Sequence, residues 1–188
     1  MRGLGEEAGV SVRTLYNHFG DKENLLAALI QRSLDSVDDA VHHLSSVDPM
    51  ERIWEAVSLS INQIVVDIPK AVVRAVLMDD QLLKKIDLQW AGWDLIVGEI
   101  GNATRRGALR GDVEPAELAE QAGMVLFHLQ RRWTAGEIDV EGLLAGALHA
   151  FDLCLLAVAR PKARTRILEH MASLKNQRLS SPTSVMTS

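Results

Sequence analysis

Side chains suited to reading DNA are concentrated near the start of the chain, in the stretch GVSVRTLYNHFGDKENLL, residues 9–26. Arg13 can donate a bidentate pair of hydrogen bonds to guanine in the major groove, and Asn17 can pair with adenine. Hydroxyl, ring N–H and ammonium groups that suit phosphate oxygens are carried by Thr14, Tyr16, His18 and Lys22. The residue types of this segment therefore predict a surface that contacts both bases and backbone.

The local sequence predicts a tight turn followed by a short helix that can present these groups. Gly9 can adopt a positive φ, and Ser11 is a typical N-cap for the helix that follows. Val10, Leu15 and Phe19 share one side and can pack inward, which leaves the polar residues on the other side. A helix of seven residues is about 10 Å long, which suits insertion into a major groove.

The stretch AGVSVRTLYNHFGDKENLL, residues 8–26, resembles the TetR family of bacterial transcriptional repressors. Members of that family typically show Gly-Val-Ser, then Thr-Leu-Tyr-x-His-Phe, then Lys-Glu-x-Leu. The later part of the chain is similar to the family's ligand-binding and dimerisation domain in size, in helix order and in a Gly-x-Leu-Arg-x-Asp turn at residues 107–112. The resemblance implies a helix-turn-helix head on a helical body.

The resemblance also implies roles for individual residues of the head. Tyr16, His18 and Lys22 correspond to usual phosphate contacts. Val12, Arg13 and Asn17 lie where the family varies its base readers. The predicted DNA-binding residues are Ser11, Val12, Arg13, Thr14, Tyr16, Asn17, His18 and Lys22.

The front of the head departs from the family pattern, because only eight residues precede Gly9. Family members begin with a full helix, usually after a basic arm, whereas this chain begins inside the second helix. We expect the first helix to be missing, through a start placed too late, a truncation or a genuine loss. Without that helix, the apolar side chains of the head lose cover, and we expect a frayed head that binds DNA weakly.

Charge and composition narrow the function further. Residues 35–159 carry twenty acidic and ten basic side chains, so any DNA contact must lie at an end of the chain. A single cysteine, Cys154, fits a reducing cytoplasm. The apolar run 140–159 is long enough to span a bilayer, but it contains Glu141, His149 and Asp152, which favour a buried helix of a soluble protein without a membrane partner.

Helical periodicity predicts an all-α fold with no strand. We expect a partial helix-turn-helix domain with a linker helix over 1–45, a helical body over 46–178 and a disordered tail over 179–188. Helices are predicted from Pro49 to about 67 and from Pro69 to about 84, and a third helix of the body ends near residue 107. Further helices are predicted from Pro115 to about 136, over about 139–159, and in a short basic segment that ends near residue 176.

Large apolar side chains in the body could line a cavity for a small apolar or amphipathic effector. The candidates are Trp54, Met78, Trp90, Trp93, Met124, Phe127 and His128. Aromatic and methionine side chains at helical spacing also fit a plain core. His128 is a polar group in an apolar stretch and needs a partner if it is buried.

Other polar groups admit simpler interpretations. Asp38, Asp39, His42 and His43 form two i, i+4 pairs that could hold a metal, but a solvated helix face explains them better, so no metal or cofactor is predicted. The basic residues of the C-terminal segment could touch DNA or complement the acidic middle of the chain. Sequence patterns of enzymes are absent, with neither a Gly-rich phosphate loop nor a nucleophile elbow.

The sequence thus predicts a cytoplasmic, non-enzymatic, ligand-responsive regulator of transcription, in which an effector releases a repressor from its double-stranded DNA operator. The apolar helix near 140–159 needs cover on both sides, so we predict a homodimer in which this helix and 115–136 form a four-helix interface. The alternatives are a helical small-molecule-binding dimer that has lost DNA binding and, with less support, an enzyme in a helical scaffold.

Overall fold

The computed structural model describes Asn24, Leu44 and residues 46–79 and 93–180, with side chains up to residue 175. Within these residues the fold is all-α, as predicted. The helices are α1 (Pro49–Asp67), α2 (Lys70–Leu77), α3 (Trp93–Arg105), α4 (Pro115–Ala135), α5 (Val140–Val158) and α6 (Pro161–Ser180).

The ends of the helices follow from local sequence signals. Asp48 caps α1 by accepting hydrogen bonds from the backbone N–H groups of Met50 and Glu51. Asp139 caps α5 through the N–H of Gly142 at 2.7 Å. Gly136 ends α4 at a φ of 82°, a left-handed conformation that favours glycine. The predicted starts of α1, α4 and α5 are therefore confirmed.

Much of the apolar core lies on α1 and on the helices α3 and α5, each of which contacts α1. Ile53 and Ile61 on α1 are fully buried, as are Ile100 on α3 and Phe151 and Leu155 on α5. The neighbouring helices α4 and α5 form a hairpin through residues 136–139. The hairpin is close enough that a Cβ added at Gly146 would lie 2.8 Å from a methyl carbon of Leu129.

A short antiparallel backbone pairing joins the connection between α3 and α4 to the junction between α5 and α6. The N–H of Arg110 donates to the carbonyl of Val158 at 2.8 Å, and the N–H of Arg160 donates to the carbonyl of Ala108 at 3.0 Å. These bonds hold the start of α6 beside the end of α3.

α5 is long and apolar enough to cross a membrane, judged by length and composition alone. It contacts α1, α4 and α6, and its Asp152 side chain is fully buried among them. These contacts match the core helix that the sequence predicts.

Two helices differ from the prediction. α2 begins at Lys70, one residue after Pro69, and ends at Leu77, with residues 80–92 outside those described. α6 is twenty residues long rather than short, and it continues past the predicted body boundary at residue 178 to Ser180. Ala163, Ile167 and Leu174 explain its length, because they bury an apolar stripe against the body that its basic residues obscured in the sequence.

Candidate functional site in the helical body

The predicted DNA-reading surface lies outside the described residues, so the roles of its side chains stay predictions. It comprises Ser11, Val12, Arg13, Thr14, Tyr16, Asn17, His18 and Lys22. The Asp and His pairs of residues 38–43 are also outside, and the described residues contain no group of three or more His, Cys, Asp or Glu side chains placed to hold a metal ion.

The predicted effector-binding side chains lie at different depths. Trp54 is buried, Trp93 and Phe127 are half-buried and pack against the core, and Trp90 is outside the described residues. Met78 is exposed at the end of α2. Met124 and His128 are exposed one turn apart on α4, so His128 needs no internal partner. The shared cavity for these residues stays a prediction.

Two tryptophans fix the packing of α4. A Cβ at Gly123 would lie 3.2 Å from Cζ3 of Trp93, so the glycine lets the indole of α3 lie directly on the backbone of α4. Lys70 places its Nζ 5.3 Å from the ring centroid of Trp133, a cation–π contact that joins α2 to α4. Together these contacts set the distance between α4 and the helices that precede it.

A buried polar cluster, formed by Trp54, Asp152 and His170, joins α1, α5 and α6. The indole Nε1–H of Trp54 donates to Asp152 Oδ1 at 2.8 Å, and His170 Nδ1 lies 2.8 Å from Oδ2. The imidazole also stacks on the indole with ring centroids 3.9 Å apart. Both oxygens of the buried carboxylate are therefore satisfied, which offsets the cost of burying it.

The sequence does not predict this cluster as a unit. Asp152 stands out there as a charge in an apolar run and Trp54 as a candidate for a ligand cavity, but no local pattern links the two, because they are 98 residues apart in the chain. The one available signal was the carboxylate itself, since a buried Asp requires a donor.

An ion pair between α1 and α3 forms a second internal contact. Arg52 donates to both carboxylate oxygens of Glu99, at 2.8 and 2.6 Å, and Asn102 donates to the same carboxylate. The hydrogen bonds from Arg52 hold the pKa of Glu99 below its ordinary value, against the opposing effect of burial. This bidentate pair fixes the crossing of α1 and α3.

Large apolar side chains are exposed on the hairpin of α4 and α5. Met124 is 58% exposed and Val125 is 45% exposed on α4, and Leu153 is 52% exposed on α5. Leu153 directly follows the fully buried Asp152, so α5 has an apolar outer side in addition to its core side. Exposed apolar side chains on neighbouring elements are typical of a protein–protein contact.

A basic cleft of about 460 Å³ opens between the start of α1, the end of α3 and the start of α6. We use this name for the space lined by Val47, Asp48, Pro49, Met50, Arg106, Gly107, Ala108, Arg160, Lys162, Ala163 and Arg166. Four of these side chains are cationic and one is anionic, in a chain whose net charge is −5.

Comparisons with known proteins show what the N-terminal segment and the fold are similar to. Residues 1–29 match the family described as bacterial regulatory proteins, tetR family. A crystal structure of a protein assigned to the TetR-family transcriptional regulators, from Rhodococcus sp., is similar with a TM-score of 0.61 and 24% identity. The similarity covers 82% of this chain and 89% of that one, and it shows a TetR-like fold. No curated protein matches the sequence significantly.

Proposed function

We propose that this chain is a TetR-family transcriptional regulator that acts as a ligand-responsive repressor in the cytoplasm, and the family match of its N-terminal segment and its TetR-like fold support this. TetR-family regulators are non-enzymatic DNA-binding proteins. The observation that carries the proposal is the family match at residues 1–29, since that segment contains every predicted base and phosphate contact. The head, in which the sequence predicts that the first helix is missing, lies outside the described residues, so this stays a prediction.

Selection of bound sequences from a random duplex library, followed by affinity titrations, tests DNA binding. In a protein with a complete head, we expect Lys22→Ala to weaken binding to all sequences and to flatten the salt dependence, because it removes a phosphate contact. Arg13→Ala should relax the preference at one base pair at a cost of about 1–3 kcal/mol. Equal losses of specific and non-specific binding in both variants would contradict this division of roles. A protein with a complete head that folds as a dimer and binds no duplex would favour the alternative, a small-molecule-binding dimer.

The proposed homodimer uses the exposed apolar side chains of α4 and α5. These helices form one hairpin, so two copies related by a two-fold axis would pair as four helices. Burial of Met124 and Leu153 against the same side chains of a second copy would remove a large exposed apolar surface from water.

Sedimentation at micromolar concentration tests the homodimer. We expect the native chain to be dimeric and Leu153→Glu to be monomeric, because the substitution places a charge in the apolar contact. Leu168→Glu is the matched control, since Leu168 is similarly exposed but lies on α6. A monomeric native chain, or equal dissociation by both variants, would refute the assignment of α4 and α5.

An effector can control DNA binding if the body of the proposed dimer has two states, which place the heads of its two copies at different spacings. An effector can then lower operator affinity only by its differential affinity for the two states. Trp93 and Phe127, half-buried and next to the core, are candidates for the apolar wall of its cavity. Mass spectrometry of small molecules that co-purify with the chain, with Trp93→Ala as the variant, tests this assignment.

A further inference from the structure

We propose that the basic cleft binds a small phosphomonoester, at a site separate from the predicted effector cavity. The cleft is open to solvent, and its volume lies within the range of small-molecule sites in proteins. The inference rests on three observations. They are the net charge around the cleft, the hydrogen bonds and ion pairs that its cations already make, and the apolar part of its lining.

The charges around the cleft do not balance. Arg166 is engaged by the carboxylates of Asp48 and Glu51. Against those two negative charges stand four cations, Arg106, Arg160, Lys162 and Arg166, which leaves an excess of two positive charges. A phosphomonoester carries about −1.5 to −2 at pH 7, so a single phosphate group matches the excess.

The free cations come from two separate parts of the fold that the backbone holds together. Arg106 donates through Nη1 to the carbonyl of Val47 at 2.6 Å, which orients its guanidinium at the rim and leaves its other N–H groups available. Arg160 and Lys162 flank the start of α6, and neither makes a side-chain hydrogen bond or ion pair within the described part of the chain. The pairing of Arg160 N–H with Ala108 fixes their distance from the end of α3.

The remainder of the lining is mostly apolar and small. It consists of Val47, Pro49, Met50, Gly107, Ala108 and Ala163. A cleft of about 460 Å³ exceeds the space that a phosphate ion fills, so there is room for a compact organic group against these side chains. Arginine and lysine recognise the phosphate, and the apolar part of the lining, which includes the buried Met50 and Ala163, favours an ester over the free ion.

Calorimetric titration of the full chain with phenyl phosphate, inorganic phosphate and phenol tests the proposal at one fixed salt concentration. We expect phenyl phosphate to bind more tightly than inorganic phosphate, and phenol to bind no better than background. The double variant Arg160→Gln/Lys162→Gln should weaken phenyl phosphate binding at least about tenfold, because it removes two charge-assisted hydrogen bonds. The double variant keeps the backbone pairing, since Arg160 bonds to Ala108 through its main-chain N–H and not through its side chain.

Arg164→Gln is the matched control, because Arg164 is an exposed cation on the same turn of α6 that does not line the cleft. It should change the affinity by less than about twofold. Absence of phenyl phosphate binding at millimolar concentration would overturn the proposal, as would equal losses in the control and the double variant. Because no DNA is present, a failure here is distinct from a failure of the regulator proposal, which the duplex titration reports.

Discussion

Removal of the buried carboxylate at position 152 should be among the most costly single substitutions in the body. Asp152 is 0% exposed, and its two oxygens accept hydrogen bonds from Trp54 and His170. In Asp152→Ala, the indole N–H of Trp54 remains buried without its acceptor, and the half-buried imidazole of His170 loses its partner as well. Each such orphaned group costs about 1–3 kcal/mol. Relief from burying a carboxylate offsets part of this, so we expect a loss of about 3 kcal/mol of unfolding free energy.

Asp152→Asn separates the hydrogen bonds from the charge. The amide oxygen can still accept from Trp54, and the amide N–H can donate to the Nδ1 atom of a neutral His170 whose proton is on Nε2. The shape and both contacts are therefore retained, and we expect a loss of less than about 1 kcal/mol. Asp112→Ala is the surface control, since Asp112 pairs with Arg110 in an exposed position, and it should stay within about 0.5 kcal/mol of the native chain.

Urea unfolding at one fixed protein concentration measures these differences, because a dimer would make the apparent stability depend on concentration. The order of stability should be native, then Asp152→Asn, then Asp152→Ala. If Asp152→Ala cost less than about 1 kcal/mol, the two donors would have found water or other partners, and the cluster would not hold α1, α5 and α6 together. Equal losses in the Asn and Ala variants would show that the charge, rather than the hydrogen bonds, matters.

Two further substitutions test the ion pair and the end of α4. Arg52 lowers the pKa of Glu99, so the pair stabilises the fold above the ordinary glutamate pKa of about 4.3 and loses that effect as the pH falls through the lowered value. The stability gap between native chain and Glu99→Gln should therefore narrow in urea titrations from pH 7 to acid; a constant gap would contradict the assignment. Gly136→Ala should lose about 1 kcal/mol in thermal unfolding, because alanine is strained at a φ of 82°. Gly136→Asn should lose less, and equal losses would contradict the left-handed cap.

Local signals made several elements of the body predictable from the sequence. Pro49 and Pro115 mark helix starts because proline suits the first turn, and Gly136 marks a helix end because it accepts a positive φ. Each of these signals acts within one turn of the residue that carries it. The length of α6 was not predictable in the same way, because the burial of Ile167 and Leu174 depends on where the rest of the body lies.

The internal contacts of the candidate site could be identified only from the fold. Arg52 and Glu99 are 47 residues apart, and no local pattern in the sequence pairs them. The basic cleft shows the same limit, since its cations come from the end of α3 and the start of α6. In the sequence the C-terminal cations form only a basic segment, whereas in the fold the backbone pairing between Arg160 and Ala108 brings them next to Arg106.

α5 connects the core of the body to the proposed dimer contact, because one side of the helix is buried and the other is exposed. Asp152 anchors the inner side to Trp54 and His170, while Leu153, the next residue, faces outward toward the proposed dimer contact. Helices are stiff over a few residues, so a shift of α1 or α6 that carries the backbone at Asp152 with it also moves Leu153. A ligand that binds more tightly to one position of α1 would therefore bias the geometry of the dimer by its difference in affinity for the two positions. Such a movement would have to keep or break the hydrogen bonds of the buried Asp152 carboxylate to Trp54 and His170.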